Sequence, residues 1–395
     1  MIHSDFLLQN QTAQDLYHEY AEDLPIIDFH NHLPIRSISD DQRSANWTEI
    51  WIANDPYKHR AMRIAGVPED LITGNAPAKE KFLAWIRTIP MLLGNPLDHW
   101  TRLELLRIFD FSDVPDPDHA EEIWNRPILS TREILKRFPI EYSAPCAAPG
   151  EDLTPFSQCD DLPFVPSLRD NGAAKNQILD AIDLFHRAGC RFADHALDAD
   201  WHFRDDDPLI ELGGEYNKRN WTLQIHLGAL RKTSSRLRSL AGPAGGYAAI
   251  GNSIDLSGLA RLLDAMEKSP NGLPKIILYN LNPADNAALA TLTGSFSEDG
   301  IRGKIQFGPA WWYNDHRIGI RNHLDCIASY GLLSAFIGMT TDSRSPLSFV
   351  RHEYFRRVLC GWFGEKVEQG IFPDDLPTLG SIIQNIVYNN IKEKI

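Results

Sequence analysis

Two histidines, two residues apart, follow a short apolar run in the segment LPIIDFHNHLPI, Leu24 to Ile35. Side chains alternate along a strand, so His30 and His32 face the same side if this run is a strand. Two neutral imidazoles and one carboxylate form a sound site for a single divalent metal ion. Asp342, in the segment TTDSR, is the natural third ligand if its strand lies beside the first one. We therefore expect His30, His32 and Asp342 to bind one metal ion.

Further polar side chains end the other β-rich runs of the chain. Histidines such as His195 and His226 are more often hydrogen-bonded polar residues than metal ligands, and both readings stay open. The segment WWYND, residues 311–315, fits a substrate surface and simple packing at the rim of a barrel equally well. The residues at these strand ends that could meet a substrate are Arg169, Asp194, His195, His226, Gln306, Trp311 and Arg344.

Eight short runs rich in β-branched and aromatic residues must position these side chains. The runs are apolar throughout rather than alternating, which is typical of parallel strands buried on both faces. Helical patterns such as NQILDAIDLFHRAG lie between several of them. Eight strands that alternate with helices predict an α/β fold, a (β/α)8 TIM-like barrel, whose active-site residues lie at the carboxyl ends of the strands. The predicted strands are 26–30, 140–146, 164–168, 191–197, 222–228, 275–281, 304–310 and 336–342.

The region 40–138 has helical spacing and no convincing strand. Prolines, among them Pro115 and Pro117, break it into short pieces. We expect one barrel domain over residues 1–395, with residues 40–138 as a helical insertion after the first strand.

Composition excludes several classes of function. The 395 residues carry 39 basic and 53 acidic side chains, a net charge of −14, which argues against nucleic acid and anionic membranes as partners. A local cluster of arginines could still bind a small anion. The five cysteines include no C-x-x-C pair, which argues against disulfides and against a cysteine-based zinc site. With no long apolar stretch, the expected protein is cytoplasmic. We also expect a homo-oligomer.

Several long segments, in order from near residue 25 to near residue 390, resemble one enzyme family. They include DFHNHL, NWTEIWIANDPYKHRAMRIAGV, QIHLGALR, KIQFGPAWWYND and GLLSAFIGMTTDSRSPLSFVRHEYFRRVLC. The chain resembles the uronate isomerase (glucuronate isomerase) family, a divergent branch of the metal-dependent amidohydrolase barrels. The resemblance implies interconversion of aldose and ketose hexuronates, D-glucuronate with D-fructuronate and D-galacturonate with D-tagaturonate.

The resemblance also implies roles for individual residues. His30, His32 and Asp342 match the family's metal ligands, with zinc as the expected ion and manganese, cobalt or iron as alternatives. Tyr57, in DPYKHRAMR, matches a tyrosine implicated in proton transfer. Arg344 and Arg169 match arginines near the substrate. The expected site is thus catalytic Asp342, Tyr57 and Arg344, with Arg169, His195, His226, Trp311 and Arg344 binding the substrate.

The chemistry of isomerisation fits these residue types. Moving a proton between C2 and C1 through an enediol needs a base, an acid and positive charge at the developing enediolate oxygen. Asp342 and Tyr57 are plausible proton carriers, and a uronate carboxylate suits the planar fork of Arg344 or Arg169.

One segment departs from the family pattern and keeps alternatives open. At the end of the second predicted strand, family members have a TTDDP-like sequence, where this chain has YSAPCAAPGEDL. A metal-dependent hydrolase of a sugar-acid lactone or amide, on the same barrel, is therefore one alternative. The predicted sixth strand, ILYNLNP, has no histidine, and this weakens the hydrolase alternative. A non-catalytic sugar-acid binding protein is the second alternative.

Overall fold

A curled parallel β-sheet is the centre of the molecule in the computed structural model, which describes residues 2–112, 114, 119–159 and 161–395. Seven strands pair in the order β1-β2-β3-β4-β5-β8-β9, and β6 and β7 form a separate antiparallel hairpin. The strands are β1 Ile26–Asn31, β2 Ile140–Ala147, β3 Ser167–Arg169, β4 Phe192–Leu197, β5 Thr222–Leu227, β6 Ala229–Leu230, β7 Ala249–Ile250, β8 Lys275–Asn280 and β9 Ile305–Phe307.

Helices connect most of the sheet strands. Among the described residues, no helix is both long enough and apolar enough to cross a membrane. The α-helices are α1 Gln11–Tyr20, α2 Ile35–Ser39, α3 Trp47–Trp51, α4 Pro56–Ile64, α5 Ala78–Thr88, α6 Pro96–Phe109, α7 Ala120–Trp124, α8 Thr131–Leu135, α9 Thr154–Ser157, α10 Lys175–Arg187, α11 Pro208–Lys218, α12 Ser235–Ala241, α13 Leu256–Lys268, α14 Asn286–Ser295, α15 Arg317–Tyr330, α16 Val350–Glu368, α17 Leu376–Gln384 and α18 Asn390–Lys392.

Contacts across the sheet show that it curls on itself. Phe29 of β1 lies 5.9 Å from Phe192 of β4, centroid to centroid, although these strands are not neighbours in the sheet. The ring centroids of His30 in β1 and His226 in β5 are 4.6 Å apart. Side chains of distant strands can meet only inside a closed or nearly closed sheet. The predicted α/β barrel is therefore confirmed.

The predicted eighth strand is the largest difference in the barrel; the third strand, expected at 164–168, is Ser167–Arg169. The described segment 336–342 is not a regular strand, because Gly338 and Asp342 have positive φ angles of 73° and 45° that interrupt the pleat. It nevertheless lies beside β1. The Asp342 N–H donates to the carbonyl oxygen of His30 (3.1 Å), and the His32 N–H donates to that of Ser343 (2.8 Å).

A buried carboxylate fixes this segment against β1. Asp28 is fully buried and accepts hydrogen bonds from the Thr340 hydroxyl, the Thr341 N–H and the Thr341 hydroxyl, each at 2.7 Å. Burial alone would raise the pKa of Asp28, but His352 and these donors lower it, so that it stays ionised. Asp28 thereby holds the end of segment 336–342 beside His30.

The region between β1 and β2 carries helices α2 to α8. Four tryptophans form much of its core: Trp47, Trp51, Trp85 and Trp100. Pro115 and Pro117, which we expected to break helices, lie outside the described residues. One barrel domain over residues 1–395, with residues 40–138 as an insertion, remains our proposal for the domain organisation.

Candidate active site

A cavity of about 410 Å³ opens at the carboxyl ends of the strands, a volume in the usual range for a small-molecule site. Its walls come from strand ends, from α4 and from the segments around 231–248 and 311–313. Residues that line it include His32, Tyr57, Cys146, Arg169, His226, Arg231, Trp311, Trp312, Tyr313, Asp342, Arg344 and Arg351.

The structure brings together the three residues expected to bind metal. The Nε2 atoms of His30 and His32 each lie 3.1 Å from the same oxygen of Asp342, Oδ1. The second oxygen of Asp342 accepts hydrogen bonds from the indole N–H groups of Trp311 (2.5 Å) and Trp312 (2.8 Å). Each of these two separations is close to the roughly 3.3 Å between ligand atoms around a tetrahedral zinc ion with 2.0–2.1 Å bonds. His30, His32 and Asp342 are nevertheless not one of the groups of described residues in which every donor atom lies within 4.8 Å of the others.

Asp342 reaches this position through a left-handed backbone. Its φ of 45° is uncommon for a residue with a side chain, although aspartate tolerates it better than most. This backbone conformation costs of the order of 1 kcal/mol, and the surrounding hydrogen bonds maintain it. Burial alone would raise the pKa of Asp342, but hydrogen bonds from His30 and His32 hold it well below its usual range. The carboxylate is thus a permanent anion in the cavity.

The possible ligands extend beyond the predicted three. Among the described residues, two sets place one donor atom from each member within 4.8 Å of the others: His30 with His32 and Cys146, and His30 with His226 and Asp342. Burial alone would raise the pKa of Cys146, but His30 and His32 lower it to about 6. The sequence-based argument against cysteine in a metal site did not anticipate Cys146.

A buried ion pair lies beneath these groups. Asp194 of β4 is fully buried, and it accepts hydrogen bonds from an amino group of Arg169 and from Nδ1 of His226 (2.6 Å). Burial lowers the pKa of His226 to about 4, so its imidazole is neutral near pH 7. With Nδ1–H donating to Asp194, the Nε2 atom carries a free lone pair. Within the described chain, that buried Nε2 has no hydrogen-bond partner.

Arginines give the cavity its positive charge. Arg169, Arg231, Arg344 and Arg351 all line it. Three of them are held by carboxylates: Arg169 by Asp194, Arg231 by Asp198, and Arg351 by Asp315.

Arg344 differs from the other three arginines. It is exposed in the cavity and forms no ion pair with any described residue. A guanidinium without a partner at the mouth of a cavity is suited to bind an anionic ligand.

Helix α4 positions Tyr57. The helix begins with Asp55 as its N-cap, which accepts hydrogen bonds from the N–H groups of Tyr57 (2.9 Å) and Lys58 (3.2 Å), and Pro56 occupies the first turn. The Tyr57 hydroxyl donates to Asp315, whose two oxygens are both 2.9 Å away. Burial raises the pKa of Asp315 to about 6 and that of Tyr57 well above its usual value. Tyr57 is therefore a protonated hydroxyl beside a carboxylate that titrates near neutrality.

The structure does not bring His195 to the cavity. In β4 the side chain of Asp194 points into the barrel, so that of the next residue points outward. His195 lies within hydrogen-bond distance of Asp170 (3.1 Å) and the hydroxyl of Tyr216 in α11 (2.8 Å), and it lines a separate cavity. We therefore omit His195 from the substrate-binding residues.

Sequence reasoning missed or undervalued four residues of the site: Cys146, Trp312, Asp315 and Arg351. Trp312 and Asp315 lie in WWYND, the segment that was equally consistent with packing at the rim. Arg351 is buried in α16, with its guanidinium over the ring of Trp100 at 4.1 Å. The position of Arg351 in the sequence of this helix does not indicate that its side chain reaches the cavity.

Known proteins of one enzyme family are similar to this chain over nearly its whole length. The sequence profile of the glucuronate isomerase family matches residues 1–155 and 206–394. Uronate isomerases of Caldanaerobacter subterraneus subsp. tengcongensis and Caldicellulosiruptor bescii are 39% and 40% identical to this chain, and each alignment covers 98% of both sequences. The chain belongs to the glucuronate isomerase family.

Solved structures agree with this family assignment. The crystal structure of uronate isomerase from Thermotoga maritima matches with a TM-score of 0.89 at 28% identity, over 100% of this chain and 99% of that one. Glucuronate isomerase from Caulobacter crescentus has a TM-score of 0.87, over 100% of this chain and 96% of that one, and at 19% identity it supports the fold alone.

The chain is shorter than its relatives. The first alignment spans 457 positions, whereas the chain has 395 residues, so the relatives carry segments that it lacks. The family profile leaves residues 156–205 unmatched. These residues include β3 and β4, and with them Arg169 and Asp194.

Proposed function

We propose that the protein interconverts aldose and ketose hexuronates, D-glucuronate with D-fructuronate and D-galacturonate with D-tagaturonate. One observation carries the proposal beyond membership of the family. The cavity combines an unpaired arginine, Arg344, with the cluster of His30, His32 and Asp342. A sugar acid needs both, because it carries a carboxylate at one end and a reacting carbonyl and hydroxyl at the other.

Arg344 would bind the carboxylate of the substrate in this proposal. Its planar guanidinium can donate two parallel hydrogen bonds to a carboxylate, and it breaks no protein ion pair to do so. Arg169 is already held by Asp194, so its remaining N–H groups can orient a substrate hydroxyl. Trp311 and Trp312 form part of the cavity wall.

His30, His32 and Asp342 would hold a divalent ion, with zinc the expected one. A divalent ion held there would supply positive charge that stabilises a developing enediolate. Two imidazoles and a carboxylate also accept manganese, cobalt or iron.

Proton transfer would involve Asp342 and Tyr57. Removal of the C2 proton by a carboxylate, with protonation of the carbonyl oxygen at C1, gives the enediol. Return of a proton to C1, with loss of the hydroxyl proton at O2, gives the ketose. Tyr57 is protonated at neutral pH and can donate to O1, with Asp315 within hydrogen-bond distance to share the charge. Asp342 is the expected carboxylate at carbon, and it would accept the proton on Oδ2 after release of a hydrogen bond from Trp311 or Trp312.

The experiment is an assay of the purified, metal-replete protein on both aldoses in D2O. We expect ketose formation with deuterium at C1, because the proton passes through a group that exchanges with solvent. Ketose that carries the original C2 hydrogen at C1, without any solvent deuterium, would exclude an enediol that exchanges its proton with solvent. No ketose from either aldose, with turnover in a panel of sugar-acid lactones, would instead favour a hydrolase. Strand β8 offers no histidine for such an enzyme, and Tyr279 stacks on His226 there at 4.2 Å.

Metal content tests the ligand assignment separately. We expect His32→Ala to bind less zinc than the unchanged chain, with His186→Ala as a control, since His186 lies in α10 and hydrogen-bonds Trp221. Equal zinc in the unchanged chain and the His32→Ala variant would refute the assignment. A cytoplasmic homo-oligomer remains part of this proposal.

A further inference from the structure

The thiol of Cys146 points at the histidines rather than into the apolar core. Cys146 lies in β2, next to the end of β1, and its Sγ atom is 3.7 Å from Nδ1 of His30. One donor atom from each of His30, His32 and Cys146 lies within 4.8 Å of the others. In a tetrahedral zinc site with bonds of about 2.3 Å to sulfur and 2.0–2.1 Å to nitrogen, sulfur and nitrogen are roughly 3.6 Å apart. The observed separation is close to that value for an ion on Nδ1, the nitrogen of His30 other than the one that faces Asp342.

The surroundings of Cys146 differ from those of a structural cysteine. Its Sγ atom lies 3.9 Å from a carboxylate oxygen of Asp194, and the side chain lines the cavity. Cys190, by contrast, is completely buried and donates to the carbonyl oxygen of Phe192 at 3.1 Å. A thiol among imidazoles and carboxylates gains little from burial of apolar surface, so packing alone does not explain Cys146.

A second observation points to a cation beside His30. Nε2 of His226 is buried and has no hydrogen-bond partner within the described chain, and His226 shares a potential ligand set with His30 and Asp342. Leaving a buried polar atom unpaired is unfavourable, and a cation held by this second set would satisfy the nitrogen. His30 belongs to both sets, with Nδ1 towards Cys146 and Nε2 towards Asp342, so an ion bound to one nitrogen of the ring takes its other ligands from one set.

We propose that Cys146 is a thiolate ligand of a metal ion that it holds together with His30 and His32. The proposal rests on the metal site of the proposed function. As the sulfur–metal bond forms, the S–H bond breaks and its proton passes to solvent, with no change in oxidation state. A thiolate favours zinc or cobalt over magnesium or manganese, which prefer oxygen ligands. Cys146 lies in the segment YSAPCAAPGEDL, where the chain departs from the TTDDP-like family sequence.

X-ray absorption spectroscopy of the zinc-loaded full chain tests this directly. We expect a sulfur shell at about 2.3 Å beside nitrogen and oxygen at about 2.0–2.1 Å. Cys146→Ser should lose the sulfur shell. Cys326→Ser is the matched control, because Cys326 is a half-buried free cysteine in α15, and it should keep the shell. The cobalt-loaded protein should show a thiolate-to-cobalt charge-transfer band in the near ultraviolet that Cys146→Ser abolishes.

The outcomes separate this proposal from the proposed function. Zinc bound with only nitrogen and oxygen neighbours, or a sulfur shell that persists in Cys146→Ser, would overturn the role of Cys146 and leave the isomerase intact. No bound zinc or cobalt at all would overturn both this role and the metal part of the proposed function. If Cys146→Ser does not fold, the spectrum of the unchanged chain still decides, because a sulfur shell is either present or absent there.

Discussion

Removal of one hydroxyl group, in Tyr57→Phe, is the sharpest test of the proton path. The phenol of Tyr57 packs edge-to-face against Trp100 and Tyr313, at 5.5 Å and 5.7 Å, and these contacts remain in phenylalanine. The substitution removes only the hydroxyl that donates to Asp315 at 2.9 Å. The fold and the metal content should therefore be unchanged.

The expected loss lies in kcat. A positioned acid or base contributes about 10²- to 10⁴-fold to a rate, which is about 3–5 kcal/mol of transition-state stabilisation. We place Tyr57→Phe near the lower limit, about 100-fold, because Asp315 is beside the vacated position and water could take over part of the transfer. KM should change little, since the hydroxyl acts on oxygens whose charge develops only in the transition state.

The matched control is Tyr313→Phe, which removes a second hydroxyl from the same cavity. Tyr313 donates to the carbonyl oxygen of Ala248 at 2.7 Å and has no carboxylate partner, so we expect less than about a 5-fold change in kcat. Initial rates on D-glucuronate and D-galacturonate, with zinc content and a thermal melt for each variant, complete the assay. Equal rates for Tyr57→Phe and the unchanged chain would refute the role of Tyr57. Equal losses in both tyrosine variants would show a general effect of the cavity wall.

Three further changes test the charges around the site. Arg344→Lys keeps the charge but loses the planar fork, so kcat/KM on hexuronates should fall by about 2–4 kcal/mol, roughly 30- to 900-fold, and near-normal kcat/KM would exclude Arg344 as the carboxylate site. Lys58→Met leaves Glu104, 2% exposed, without its partner at 3.0 Å, and should cost about 3–5 kcal/mol of unfolding free energy in urea titrations, most of it recovered by adding Glu104→Gln. Burial raises the pKa of Asp315 from 3.8 to about 6, so the folded chain binds more protons between these values and its stability falls as pH rises through that window. Asp315→Asn should therefore gain stability relative to the unchanged chain between pH 4 and pH 7, and a constant difference would contradict the raised pKa.

The barrel could be predicted because its signals are local. Each of the seven sheet strands overlaps an apolar run that is visible in the sequence, and helices such as α10 between them have clear spacing. The eighth run, 336–342, is apolar too, but the positive φ angles of Gly338 and Asp342 depend on tertiary contacts. The hydrogen bonds that Asp28 makes to Thr340 and Thr341 maintain that conformation, and they join residues more than 300 positions apart.

The site was less predictable for a similar reason. His30, His32 and Asp342 were found because chain order and strand ends predict their neighbours. His195 was placed in the cavity because the alternation of β4 was not assigned, and one residue of register decides between Asp194 and His195. Asp315 and Arg351 approach the cavity from a loop after β9 and from α16, and only the folded chain shows that they flank Tyr57.

The charge of the cavity opposes the charge of the whole molecule. The chain carries a net charge of −14, yet four arginines line the cavity, and three of them are paired with carboxylates. At physiological ionic strength, charges are screened beyond about 8 Å, so the acidic surface neither attracts nor strongly repels a uronate at a distance. Recognition of a uronate would therefore depend on contacts inside the cavity, where Arg344 forms no ion pair with a described carboxylate. Because the carboxylates that neutralise the other three arginines also fix their positions, the cavity can offer one free positive charge at a defined place. Under the proposed function, that arrangement would select a substrate with one carboxylate at a fixed distance from its reacting carbons, as a hexuronate has.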